Sequence, residues 1–84
     1  NTHTMFKNQC KAIHDKIKKI RTAVGYKQEY VAMRLGLSQT GYSKIETGET
    51  GLTLERAFAI AAVFEMSLIE LLEWQEPALS VVTE

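Results

Sequence analysis

Residues 28–46, QEYVAMRLGLSQTGYSKIE, constrain the fold more than any other stretch of the chain. Val31, Ala32 and Leu35 fall at i, i+1 and i+4, the apolar stripe of a short helix that begins near Gln28. Gly36 follows, a residue able to end a helix in the left-handed conformation without a Cβ penalty. Leu37 can plug the turn, and Ser38 is a favoured N-cap for a second short helix. That second helix is expected to bury Tyr42 and Ile45 on one face. Gln39, Thr40, Ser43 and Lys44 then share the opposite face, at i, i+1, i+4 and i+5. Helix, tight turn and helix with a polar outer face is the layout of a DNA-reading helix-turn-helix.

Ahead of it, Phe6, Cys10, Ile13, Ile17, Ile20 and Val24 recur at steps of four and three, which predicts one long amphipathic helix. Cys10 lies on the stripe, so it reads as a small buried apolar residue. His14 beside Asp15 lacks the spaced partners of a metal site. Gly25 is expected to end the helix. Lys27 stands where the next helix wants an N-cap and has no acceptor to offer, so that start is expected to fray.

Beyond the motif, residues 47–53 form a turn-rich loop, and Thr53 is a plausible cap. Leu54, Ala57, Phe58, Ala61, Ala62 and Phe64 predict a fourth helix, apolar enough to be well packed throughout. Ser67 and Glu70 have capping-box spacing ahead of Leu68, Leu71 and Leu72, and Pro77 is expected to end this fifth helix. The expected fold is all-α, a compact five-helix bundle with a central helix-turn-helix. Residues 1–7 are expected as a flexible N-terminus, with 1–4 a non-native extension ahead of Met5. Residues 8–76 are expected as the domain, and 77–84 as a tail that is either disordered or paired with a partner chain at a dimer interface. Trp74, Leu79, Val81 and Val82 exceed what so small a core is expected to bury, which favours a homodimer.

The chain of 84 residues has zero net charge, but its charges are segregated. Residues 1–48 hold nine Lys/Arg against three acids, and residues 49–84 hold Arg56 alone against seven Glu. A basic half containing the motif suits a DNA-facing side, and an acidic half suits a distal one. One cysteine excludes an intrachain disulfide and fits a cytoplasmic location. No apolar run is long enough to span a membrane.

Gln28-Glu29, Val31-Ala32, Leu35-Gly36-Leu37-Ser38-Gln39 and Tyr42-Ser43-Lys44-Ile45-Glu46 before Gly48 resemble the lambda-repressor-like (Xre/Cro-type) domain. The resemblance runs from about Ile13 to Leu72. It implies that Gln39 reads a base of the half-site and that Gln28 clamps the DNA backbone. It also implies a structural ion pair between Glu46 and Arg21 on the first helix. Three departures stand out. Tyr42 replaces the usual Ile or Val, Gly41 sits inside the recognition helix, and the following loop carries Glu49 with no Lys or Arg.

The residue types agree with that assignment. Glutamine bonds an adenine edge with both amide atoms, and a threonine methyl fits a thymine. Thr40, Ser43 and Lys44 join Gln39 as expected base-reading positions, although lysine more often meets phosphate. Gln28, Lys27 and Thr50 are the expected backbone contacts. The expected function is a dimeric, sequence-specific DNA-binding transcriptional regulator, most plausibly a repressor, on a near-palindromic operator of double-stranded DNA. The alternative is an antitoxin-like or adaptor module whose acidic C-terminal helices bind a protein partner. No constellation activates a nucleophile or holds a metal or cofactor, so an enzyme is not expected.

Overall fold

A computed structural model describes residues 2–77, with side chains from residue 12 onward. Five helices follow in order: α1 (Thr2–Val24), α2 (Gln28–Leu35), α3 (Gln39–Thr47), α4 (Leu54–Val63) and α5 (Leu68–Glu73). α2 packs on α3 and α4, α1 packs on α3, and α4 packs on α5. The fold is all-α, a compact bundle with the helix-turn-helix of α2 and α3 at its centre. The helix begins at Thr2, so residues 2–7 are helical where a flexible lead-in was expected. No Gly or Pro interrupts residues 2–24 to stop it sooner.

Ile17 and Ile20 of α1 are fully buried, Ile13 packs beside them, and Val24 is exposed. Phe6 and Cys10 have side chains outside the described residues. The stripe fails at Val24 because the chain leaves the helix one residue later, at Gly25 in the left-handed region. Tyr26 packs on the core just beyond, its ring meeting Tyr30 edge-on at 4.8 Å and lying 6.3 Å from Phe64.

Val31 and Ala32 of α2 are buried and Leu35 is partly buried against the same core. Gly36 at φ 72° and ψ 28° ends α2, and Leu37 N–H closes the turn on the Ala32 carbonyl at 2.8 Å. Leu37 packs onto the core, and the Ser38 hydroxyl caps α3 by accepting from Gly41 N–H at 3.0 Å. A Cβ at Gly41 would lie 3.2 Å from that hydroxyl, so the glycine leaves the cap undisturbed.

The fourth helix departs from expectation. Ala57, Ile60, Ala61, Val63 and Phe64 are buried, whereas Leu54, Phe58 and Ala62 face outward. Positions 54, 58 and 62 form one ridge of the helix, and that ridge points away from α2 and α5. The segment is thus apolar on both sides but packed on one. Ser67 and Glu70 make the full capping box of α5, with bonds of 3.0 and 2.7 Å. Leu71 is fully buried, while Ile69 and Leu72 are exposed. α5 stops at Glu73, four residues before Pro77, because Trp74 turns to an extended conformation and packs against the core. Trp74 is thus half-buried within the chain itself. Leu79, Val81 and Val82 lie outside the described residues.

Lys27 occupies the N-cap of α2 at φ −84° and ψ 154°, with no side-chain bond to the helix amides. That backbone already suits an accepting cap. Lys27→Ser should therefore stabilise the fold by about 1 kcal/mol, read as a rise in the thermal midpoint.

Candidate nucleic-acid interface

The helix-turn-helix is assembled around one buried carboxylate. Tyr42 and Glu46 lie one turn apart on α3, so both point inward, and Glu46 is 3% exposed. The Tyr42 hydroxyl donates to Glu46 Oε2 at 2.5 Å. Arg21 of α1 reaches the same carboxylate with both arms of its fork: Nε donates to Oε2 at 2.5 Å and Nη2 to Oε1 at 3.2 Å. Arg21 Nη1 also donates to the Tyr26 carbonyl at 2.9 Å, tying the α1–α2 turn to the pair. A further bond arrives from α2, where Gln28 Nε2 donates to Glu46 Oε1 at 3.0 Å. Arg21 and Glu46 thus meet, and two more groups join them.

Burial by itself would push the Glu46 carboxyl up. Hydrogen bonds from Arg21, Tyr42 and Gln28, with the charge of Arg21, outweigh it and hold the group below the usual carboxylate range. Arg21 is raised, first by its bond to Glu46 and against its own burial. Tyr42 is pushed far up by burial, and by the Glu46 bond and charge. It remains a neutral donor.

On the outer side of α3, Gln28, Gln39, Thr40, Ser43 and Lys44 line one shallow hollow together with Glu49. Gln39 Nε2 donates to Gln28 Oε1 at 3.4 Å, so the two glutamines are coupled. Five of the residues singled out from the sequence are therefore brought together. Lys27 and Thr50, next in sequence to Gln28 and Glu49, do not line it. The Thr50 N–H is taken by the Lys44 carbonyl at 3.1 Å, so only its side chain is left to meet a ligand. Gly48, at φ 84°, turns the chain so that this bond can form.

The sequence reading placed Glu49 only in the loop after the second helix of the motif and found no partner for His14. Glu49 enters the hollow because Gly48 swings the loop back over α3, and its Oε2 accepts from the Thr47 hydroxyl at 3.1 Å. His14, buried on α1, donates through Nδ1 to the Ile45 carbonyl at 2.5 Å and ties α1 to the end of α3. The i, i+4 spacing of Tyr42 and Glu46 was a readable signal for their bond. Nothing in the sequence foretells His14 and Ile45 meeting. Among the described residues, no group of His, Cys, Asp and Glu is placed to hold a metal ion. No helix among them is long and apolar enough to cross a membrane.

A short helix fixed by a cap and a buried ion pair, presenting amide, hydroxyl and ammonium groups from one face, defines a helix-turn-helix DNA-binding domain. The helix-turn-helix family model, of the Xre/lambda-repressor-like type, matches residues 17–71. The chain belongs to this family, a family of DNA-binding transcription regulators that is not typically enzymatic. No curated protein matches the chain.

The ion pair yields a thermodynamic prediction. Arg21→Met alone leaves Glu46 charged, buried and short of its main partner, and should cost about 3 kcal/mol. Arg21→Met with Glu46→Leu should cost well under the sum of the two single changes, its remainder of about 1–3 kcal/mol coming from the buried Tyr42 hydroxyl left without an acceptor, so the two changes are strongly non-additive in thermal melts. Because the folded-state pKa of Glu46 is depressed, its contribution is complete above the unfolded carboxylate value. It is lost as pH falls through the lower folded value. Acid titration of stability should accordingly be shallower in the double variant than in the natural chain.

Proposed function

We propose that the protein is a sequence-specific transcriptional repressor that binds as a homodimer to a near-palindromic operator in the cytoplasm. The observation that carries this reading is the gathering of Gln28, Gln39, Thr40, Ser43 and Lys44 on one exposed face of the helix-turn-helix. Gln39 lies at the first turn of α3, where a recognition helix meets base edges, and its amide suits an adenine. Thr40 and Ser43 add short hydroxyls, and Lys44 adds the cation of this face. Lys27, Gln28 and Thr50 are assigned to the phosphate backbone around it. Repression follows from occupancy of the operator and requires no chemistry from the protein.

Dimerisation through the C-terminal third is supported by Leu54, Phe58, Ile69 and Leu72, large apolar side chains left exposed on α4 and α5. Two-fold symmetry then places the half-site centres about 34 Å, or one DNA turn, apart. The second reading, an antitoxin-like or adaptor module, is favoured by Glu49. A carboxylate in the hollow opposes phosphate, and residues 48–53 supply no Lys or Arg to offset it.

Selection of bound sites from a random DNA library tests both readings and should return paired half-sites one turn apart. On the selected operator, Gln39→Ala should cost about 1–3 kcal/mol and relax one base pair of each half-site. Lys44→Ala should weaken all sequences by similar factors and flatten the log–log salt dependence by about one unit. Failure to enrich any sequence at low salt, with a second protein co-purifying, would favour the interaction module instead.

A further inference from the structure

The bonds at Glu46 run on to the surface, and they run in one direction. An ionised carboxylate accepts hydrogen bonds and donates none. Gln28 therefore presents its NH2 group to Glu46 Oε1, at 3.0 Å, and has to turn its own carbonyl oxygen outward. An amide oxygen accepts only, so the Gln39 amide meets it with a nitrogen, at 3.4 Å. One N–H of Gln39 is spent in this way. Among the described residues its carbonyl oxygen and its second N–H have no other partner, one acceptor beside one donor.

That pattern is complementary to adenine, whose major-groove edge offers the N6 amino donor and the N7 acceptor. Had the glutamine relay the opposite polarity, Gln39 would accept from Gln28 and show only N–H donors. Two donors suit guanine, whose O6 and N7 both accept. The orientation of a buried carboxylate on the inner face of α3 thus bears on which purine its outer face prefers.

We propose that Glu46 is a positioning residue for base selection, fixing the polarity of the Gln39 amide through Gln28 so that adenine is taken over guanine. This rests on the assignment of Gln39 as a base reader. Gln28 is then more than a backbone clamp, although its second N–H stays free for a phosphate. Arg21 and Tyr42 belong to the device because both bond Glu46 Oε2, leaving Oε1 to Gln28 and the Arg21 Nη2.

Glu46→Gln is the direct test. Its amide oxygen should stay with Arg21 Nε and the Tyr42 hydroxyl, the two shorter bonds at the Oε2 position, giving up the longer Arg21 Nη2 bond at Oε1 and turning its NH2 group toward Gln28. Both downstream amides must then invert. Gln28→Ala is the companion variant, since it breaks the relay while leaving the ion pair in place. Sites are selected from random DNA with the natural chain, both variants and Gln39→Ala, and affinities are measured on operators carrying adenine or guanine at the position read. Circular dichroism checks that each variant is folded.

The natural chain should favour adenine by about tenfold or more. Gln28→Ala should bring the two purines to within a few fold, and Glu46→Gln should reverse the order. If Gln28→Ala weakens both operators equally, Gln28 is a backbone clamp alone and the relay is refuted. A folded Glu46→Gln that keeps full adenine preference refutes it as well, and if that variant does not fold, Gln28→Ala decides. If Gln39→Ala leaves the purine preference untouched, the proposal falls together with Gln39 as reader, and the fault is traced to that assignment.

Discussion

The helix-turn-helix is held by a charge in an unfavourable place. Glu46 is all but excluded from solvent, and an isolated carboxylate there would cost several kcal/mol. It is tolerated because donors converge on it from three helices: Arg21 from α1, Gln28 from α2 and Tyr42 from α3 itself. Each donor is held by a separate element, so the network specifies how those elements sit relative to one another. An apolar residue at position 46 would pack without demanding an orientation. A hydrophobic core can slide by fractions of an ångström at small cost, but a forked arginine bond cannot. The angle at which α3 leaves the bundle is therefore set by hydrogen-bond geometry, and the core of Ile17, Ile20, Val31 and Ile60 supplies the bulk of the burial.

The same network removes charge from the surface. Arg21 and Glu46 neutralise one another, so neither contributes much to the field outside. In the hollow, Lys44 and Glu49 are of opposite sign. A face of this kind attracts phosphate weakly, and non-specific affinity for DNA is mostly phosphate attraction. Under the proposed function, what remains is the set of amides and hydroxyls, whose bonds would depend on the base presented. The segregation of basic and acidic halves along the sequence is thus a poor guide to the site itself. On α1, Lys16 bonds the Leu72 carbonyl and Lys19 pairs with Glu76, away from the hollow that Glu49 lines.

Much of the fold was legible because its signals are local. Gly36, Ser38, Thr53 and the Ser67–Glu70 box each govern residues within a turn of themselves, and periodicity located Ile17, Ile20, Val31 and Tyr42 in the core. The misreadings share one cause. Val24, Leu54 and Phe58 are apolar and correctly spaced, yet burial also needs a neighbour, and the neighbour depends on where the chain turns. Trp74 is the converse, read as surplus and then packed against the core. At the site, the sequence offered Gln28 and Gln39 as two separate contacts. Their coupling, and the entry of Glu49, depend on the packing of α2 against α3 and on the φ of Gly48, which are tertiary facts.

Lys27 illustrates how stability and binding compete at this surface. The residue before Gln28 has the backbone of a helix cap and a side chain that cannot act as one. A serine there would satisfy an amide of α2 and strengthen the fold, but it would remove a cation beside the hollow and occupy an amide that suits an anion. Under the DNA-binding reading, the uncapped start of α2 therefore serves the phosphate, and its fraying cost is limited because Gln28 is pinned from its other end by Glu46. The buried carboxylate thus does more than orient α3. By anchoring the first residue of α2, it lets the position ahead of it be chosen for charge.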